Sequence, residues 1–236
     1  MLHLNHFLMR RGGFENGERA KEAQYNTVIR LPRLYAIVDA AFFSTTEDMV
    51  VFAGEIVAGG CTLLQYRNKS GNARVMLEQA RELRRLSRAG APAPHLRLIM
   101  NDRADLCLAA DLDGVHVGQD DLSPESVRKI IGPNRWLGVS THNPEQLQQA
   151  DLTSADYLAI GPVFPTSSKD KPDPVVGLEG VRRARALTRK PLVAIGGITR
   201  VNAASVIEAG ADSVAVISDL IRDPRKSAEE FFRILR

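Results

Sequence analysis

The chain has only two cysteines in 236 residues. Cys61 and Cys107 each sit inside an apolar stretch, which reads as buried reduced thiols rather than a disulfide framework. Such usage points to a reducing, cytoplasmic setting. Long apolar runs are missing too, and none approaches the roughly 20 residues of a membrane span. The Met1–Met9 stretch is too short for a secretory core and is broken by His3, Asn5 and His6, with Arg10 and Arg11 on its wrong side. A strong charge of one sign is also absent, since the net charge is +3. Residues 1–33 hold Arg10, Arg11, Arg19, Lys21, Arg30 and Arg33 against Glu15, Glu18 and Glu22. Taking those six and three from totals of 31 basic and 28 acidic residues leaves 25 of each. A neutral body excludes a broad nucleic-acid footprint, despite a pI near 9.0.

What remains is a chain of one-domain length with 44% hydrophobic residues, enough for a substantial core. Residues 1–31 read as an irregular, mobile N-terminal extension, with a regulatory arm or an upstream start codon as alternatives. After Pro32, short β-branched runs alternate with amphipathic ones. Strands are expected at Leu34–Asp39, Thr62–Arg67, Leu96–Asn101, Gly114–Val117, Trp136–Ser140, Tyr157–Gly161, Pro191–Ile195 and Ser213–Ile217. A helical stretch follows each. Thr45 or Thr46 caps the first, and Ser123-Pro124 opens the fourth with a capping hydroxyl and proline at the first helical position. Eight strand–helix units in strict alternation predict a parallel α/β fold. An open doubly wound sheet is the alternative to a closed (β/α)8 TIM barrel. Strands that end, one after another, in polar residues or glycine favour the barrel, whose active sites lie at that C-terminal rim. No linker divides residues 32–236, which read as one barrel domain.

The strand ends carry the candidate chemistry. The second ends Gln65-Tyr66-Arg67-Asn68-Lys69. Alternation puts Gln65, Arg67 and Lys69 on one face and turns Tyr66 toward the helices. The trio reads as an anion site, with arginine forking onto phosphate and lysine a point charge, or as a solvated strand end. The third strand leads into Asn101-Asp102-Arg103 and the fourth into Gly118-Gln119-Asp120-Asp121. Two carboxylates on adjacent loops suit Mg²⁺, which takes one or two plus water and substrate phosphate. Helix capping by Asp102 and by Asp120 or Asp121 is the bland alternative. His116, inside a strand, reads as a packed core histidine sooner than a metal ligand.

Ser140-Thr141-His142 ends the fifth strand. A serine nucleophile with its neighbouring histidine as base is disfavoured, because adjacent residues rarely reach that geometry and no third group orients them. The sixth strand opens a long loop, Gly161-Pro-Val-Phe-Pro-Thr166-Ser167-Ser168-Lys169, that reads as a phosphate-wrapping lid or a plain flexible loop. Gly196-Gly197 and Ile217-Ser218 end the last two strands, where barrels often hold phosphate on backbone N–H groups.

Taken in order, QYRNK, NDR, DGVHVGQDD, STH, GPVFPTSSK, VAIGGI and GADSVAVIS resemble the thiamine phosphate synthase family over residues 33–235. The resemblance implies a transferase of alkyl groups other than methyl, acting on two small-molecule substrates. Gln65, Tyr66, Arg67, Asn68, Lys69, Asn101, Ser140 and Lys169 would hold a pyrimidine diphosphate. Thr166, Ser167, Ser168, Gly196, Gly197, Ile217 and Ser218 would hold a thiazole phosphate. Asp102 and Asp121 would coordinate one Mg²⁺, with Arg67, Lys69 and Lys169 as the catalytic cations. The loop departs from the family's usual Thr-Pro-Thr-Lys by reading Thr-Ser-Ser-Lys, which keeps both outer hydroxyls. The implied reaction is a dissociative displacement that needs no protein nucleophile. A thiazole phosphate tautomerase-like relative, another phosphate-binding barrel enzyme and a non-catalytic phosphometabolite-binding regulator are the rivals. No membrane or nucleic-acid partner is expected, and a homo-oligomer stays open.

Overall fold

A computed structural model describes residues 29–88, 96–166 and 173–236. Its strands are β1 (Leu34–Asp39), β2 (Leu63–Arg67), β3 (Arg97–Asn101), β4 (Gly114–Val117), β5 (Trp136–Thr141), β6 (Tyr157–Ile160), β7 (Leu192–Ile195) and β8 (Ser213–Val216). They pair in chain order, all parallel, and β1 closes the barrel on β8 with Leu34 opposite Val214. The open-sheet alternative is thereby excluded. The α-helices α1 (Thr46–Ala58), α2 (Ala73–Arg88), α3 (Ala104–Ala109), α4 (Pro124–Ile131), α5 (Pro144–Asp151), α6 (Gly177–Leu187), α7 (Ala203–Glu208) and α8 (Pro224–Ile234) follow the strands one by one. Most of the expected extension lies outside the described residues. Of its last three residues, Ile29 and Leu31 pack against the barrel's inner cluster. No described helix is long and apolar enough to cross a membrane.

Period-two alternation sorts the core into two layers. Tyr35, Ile37, Leu63, Ile99, Tyr157, Ala159, Val193 and Ala215 fill the barrel. Leu34, Ala36 and Val38 of β1 face the helices. Helix α1 meets them with Met49, Phe52, Ala53 and Ile56, the spacing of one helical face. Thr45 caps it, accepting from Asp48 N at 3.1 Å. Cys61 and Cys107 are free and buried, and burial pushes their thiols up to about 11 and about 12.

Three aspartates repeat one device at the N-terminal rim. Asp113, Asp156 and Asp212 stand just before β4, β6 and β8, and each accepts the backbone N–H of the preceding strand, from Leu98, Leu137 and Leu192 at 2.7–2.8 Å. Each also takes an arginine from the helix layer: Arg84 at 3.0 Å, Arg128 at 2.6 Å and Arg185 at 2.8 Å. These charge-assisted bonds lock strand to helix at the end that serves stability in such barrels.

Candidate active site

At the opposite rim the strand ends surround a cavity of about 590 Å³. That is the size of a small-molecule site. Gln65, Arg67, Lys69, Asn101, Asp102, Asp121 and Ser140 line it on one side, with Thr166, Gly196, Gly197, Ile217 and Ser218 completing the ring. Ser167, Ser168 and Lys169 lie outside the described residues. Tyr66 and Asn68 are not brought into the cavity. The Tyr66 hydroxyl donates to Gln79 Oε1 on α2 at 2.6 Å, and Asn68 Nδ2 donates to the same oxygen at 2.8 Å. Alternation along β2 turns both toward the helical layer.

Charges on the rim are held in place by one another. Arg67 forms an ion pair with Asp39, which is almost wholly buried at the end of β1 and also accepts from Ala41 N at 3.1 Å. Lys69 Nζ lies 2.5 Å from Asp102 Oδ2. Asp121 Oδ2 accepts from Gly118 N at 2.7 Å. Burial raises the Asp102 pKa; Lys69 opposes this, and the neighbouring Asp121 carboxylate raises it further. Two carboxylates facing each other in a partly buried place is an arrangement a divalent cation relieves.

Neither carboxylate serves as a helix cap. Arg103 stands at the N-cap of α3 without a side-chain bond, and Ser123 caps α4 by accepting from Ser126 N at 3.3 Å. Asp102 is also held at φ 62°, a left-handed conformation uncommon outside glycine and most tolerable for Asp or Asn. Among the described residues no group of three or more His, Cys, Asp or Glu gathers as a self-sufficient metal site. A two-carboxylate Mg²⁺ site needs none.

On the far side, Gly196 and Gly197 adopt φ 101° and 61°. A Cβ on Gly196 would meet Pro162 Cβ at 2.5 Å, and one on Gly197 would meet Pro165 O at 2.5 Å. Only glycine lets the backbone reach the cavity there. Asn101 Nδ2, buried in the opposite wall, has no hydrogen-bond partner. An orphaned donor in a cavity wall is satisfied by a ligand or by water.

Several contacts at the site carry no signal in the sequence. Asp39 is only the last letter of a strand, yet strand-end position alone would have nominated it. Gln119 Nε2 donates to Ser140 O at 2.5 Å. His142 Nδ1 lies 2.6 Å from Gly161 O, and its Nε2 lies 3.4 Å from Asp173 Oδ2. The histidine beside the Ser140 hydroxyl is therefore not His142. It is His116, whose Nε2 is 2.8 Å from Ser140 Oγ. Burial lowers the His116 pKa to about 4, only partly offset by Asp121, so the ring is a weak base and a serine nucleophile gains nothing from it.

The family model for thiamine monophosphate synthase matches residues 34–220. A thiamine-phosphate synthase of Koribacter versatilis is 61% identical over 210 residues, covering 88% of this chain and 97% of its own. One from Chloroflexus aurantiacus is 47% identical over 190 residues, covering 80% and 85%. The solved thiamine phosphate pyrophosphorylase of Pyrococcus furiosus superposes with a TM-score of 0.75 at 35% identity, covering 86% of this chain and 95% of that one. With a closed barrel, a cationic and acidic rim and these matches across nearly all of the described strands, the chain belongs to the thiamine monophosphate synthase family of transferases.

Proposed function

We propose that this chain joins an aminopyrimidine bearing a methylene diphosphate to a thiazole bearing an ethyl phosphate, releasing diphosphate and forming thiamine phosphate. The observation that supports it best is the convergence of Arg67, Lys69, Asp102 and Asp121 on one cavity rim. Diphosphate departs from carbon only if its growing negative charge is met, and preorganised cations meet it without reorganisation. Arg67 grips the diphosphate while Asp39 holds the guanidinium in place. Lys69 and, from the long loop, Lys169 add point charges. Asp102 and Asp121 would hold one Mg²⁺, whose charge on the diphosphate oxygens lowers the cost of their leaving. Gln65, Asn101 and Ser140 seat the pyrimidine, and Asn101 Nδ2 gains the partner it lacks.

The departing bond leaves a cation on the methylene that the electron-rich aminopyrimidine stabilises. The thiazole nitrogen then attacks, placed by its phosphate on the backbone of Gly196 and Gly197, the Ile217-Ser218 turn and the hydroxyls of Thr166, Ser167 and Ser168. Positioning and exclusion of water supply much of the acceleration. The test mixes purified chain, Mg²⁺ and both substrates and follows thiamine phosphate and pyrophosphate together. Equal amounts of both are expected. Pyrophosphate without thiamine phosphate, or neither, refutes the reading. The same assay on a chain lacking residues 1–28, which keeps Ile29 and Leu31 against the barrel, is expected to give the same yield.

A further inference from the structure

A continuous hydrogen-bonded chain crosses the barrel interior beneath the cavity. Gln65 Nε2 donates to the Tyr35 hydroxyl at 3.0 Å. The hydroxyls of Tyr35 and Tyr157 are 3.0 Å apart. Tyr157 OH lies 3.1 Å from His116 Nδ1, and His116 Nε2 lies 2.8 Å from Ser140 Oγ. Both tyrosines are buried to within 1% of full burial, and only the ends of the chain, Gln65 and Ser140, with the edge of His116, face the cavity. The barrel is built around this contact. A Cβ at Gly138 would lie 2.1 Å from Tyr157 Cζ and 2.4 Å from His116 Nδ1, so glycine is what leaves the two rings room to meet.

Each hydroxyl owns one hydrogen, and that makes the chain directional. Tyr35 accepts from Gln65, so its own hydrogen has one acceptor left, the Tyr157 oxygen. The Tyr157 hydrogen then goes to His116 Nδ1. A neutral ring accepting at Nδ1 carries its hydrogen on Nε2 and donates it to Ser140 Oγ. The Ser140 hydrogen is left for the cavity. At the other end Gln65 keeps its Oε1 acceptor and one N–H donor for the cavity. Turning any member around would turn all of them or strand a buried donor, at a cost of about 1–3 kcal/mol for each group.

We infer that Tyr35, Tyr157 and His116 are positioning residues that fix which way round the cavity reads a base: Gln65 is locked to present a carbonyl acceptor beside an N–H donor, matching an exocyclic amino group beside a ring nitrogen. This rests on the pyrimidine reading above. The oxo counterpart of that pyrimidine carries the reverse pattern, an acceptor oxygen beside a ring N–H. Its binding requires a Gln65 amide turned over, and the amide is wired through Tyr35, Tyr157 and His116 to Ser140. Discrimination between amino and oxo bases is thus held largely below the cavity, by Tyr35 and Tyr157, which do not line it, and by His116, which meets it only at its edge.

Calorimetry with the amino and the oxo pyrimidine diphosphates, each with Mg²⁺, tests this in the full-length chain and in Tyr35→Phe and Tyr157→Phe, which keep the rings and remove the links. The preference for the amino form is expected to fall by about tenfold or more in both variants, since a site built on hydrogen bonds loses selectivity with them. A smaller fall in Tyr157→Phe, which does not contact Gln65, overturns the inference. Independently, ¹⁵N shifts of the wild-type His116 ring are expected to show the Nε2–H tautomer, and an Nδ1–H ring overturns the stated direction. Failure of the wild-type chain to bind either diphosphate would instead sink the functional proposal, and the tautomer would still test the chain's direction.

Discussion

Replacing Asp102 with asparagine is expected to stabilise the metal-free protein while abolishing its response to Mg²⁺. Burial raises the Asp102 pKa above 3.8, Lys69 pulls it back, and Asp121 adds to the rise. When an acid's folded pKa is raised, the unfolded chain ionises first as pH climbs past that value. Stability therefore falls as pH climbs from about 3.8 toward the raised folded pKa and does not recover above it. Asparagine keeps the shape and removes the charge. It also tolerates the left-handed backbone, where alanine would add strain.

The variant loses the Lys69 ion pair, but that side chain is 56% exposed. Such pairs are worth about 0–1 kcal/mol. Relief of the opposed carboxylates contributes about 1–2 kcal/mol, in line with other charge optimisations. A net gain of about 1 kcal/mol raises the melting temperature by about 2–4 °C for a domain of this size. In the parent chain, Mg²⁺ at tenfold its dissociation constant adds about 1.4 kcal/mol, and the variant should gain almost none of it. Scanning calorimetry at pH 7, in chelator and in Mg²⁺, reads both effects. A variant that melts below the parent in chelator would show that the Lys69 pair outweighs the repulsion. Equal Mg²⁺ shifts in both proteins would remove Asp102 from the metal site.

Lys169→Ala should cut turnover by about 10²–10³-fold without moving the melting temperature, and a near-parent steady-state rate would refute its role. For His116 the folded pKa of about 4 lies below the ordinary 6.5, so its contribution is complete above pH 6.5 and drains away as pH falls toward 4. That loss is about 3 kcal/mol at most. Urea midpoints measured across this range in the Asp102→Asn background, which lacks the opposing carboxylate, should fall with acid, and a flat curve would refute the assignment. Asp156→Ala strips Arg128 and the Leu137 N–H of their shared acceptor and should cost about 2–3 kcal/mol in urea titrations, with turnover at permissive temperature unchanged. A cost under about 1 kcal/mol would deny the N-terminal rim its locking role.

The strands were legible because Leu34–Asp39 and its successors are short, largely apolar runs, buried on both faces as parallel barrel strands are, and the barrel because polar residues and glycine recur at their ends. Alternation on β2 places Gln65, Arg67 and Lys69 inward, and it also turns Tyr66 away from a site the family resemblance assigns it to. Long-range pairs were not legible. Tyr35 and Tyr157 meet across 122 positions of sequence, and only the closure of β1 through β8 and the stagger of the strands brings them together. His116 reads correctly as a hydrogen-bonded core residue, but nothing in GVHV says that its partner is Ser140 one strand on. Gly138 looks like an ordinary strand glycine until the rings it makes room for are in place.

The two rims put one residue type to opposite uses. At the N-terminal end Asp113, Asp156 and Asp212 are each satisfied twice, by a backbone N–H and an arginine, so every carboxylate lowers the energy of the closed barrel. At the C-terminal end Asp102 faces Asp121, sits on a strained backbone and stands near an orphaned Asn101 amide. None of these features helps the barrel close, and under the proposed function each would become favourable once cations and a polar ligand arrive. The stability they withhold is recovered at the other rim by three copies of the same aspartate–arginine lock. On this physical account, variants that relax the C-terminal rim should gain stability as they lose turnover, and variants at the N-terminal rim should lose stability alone.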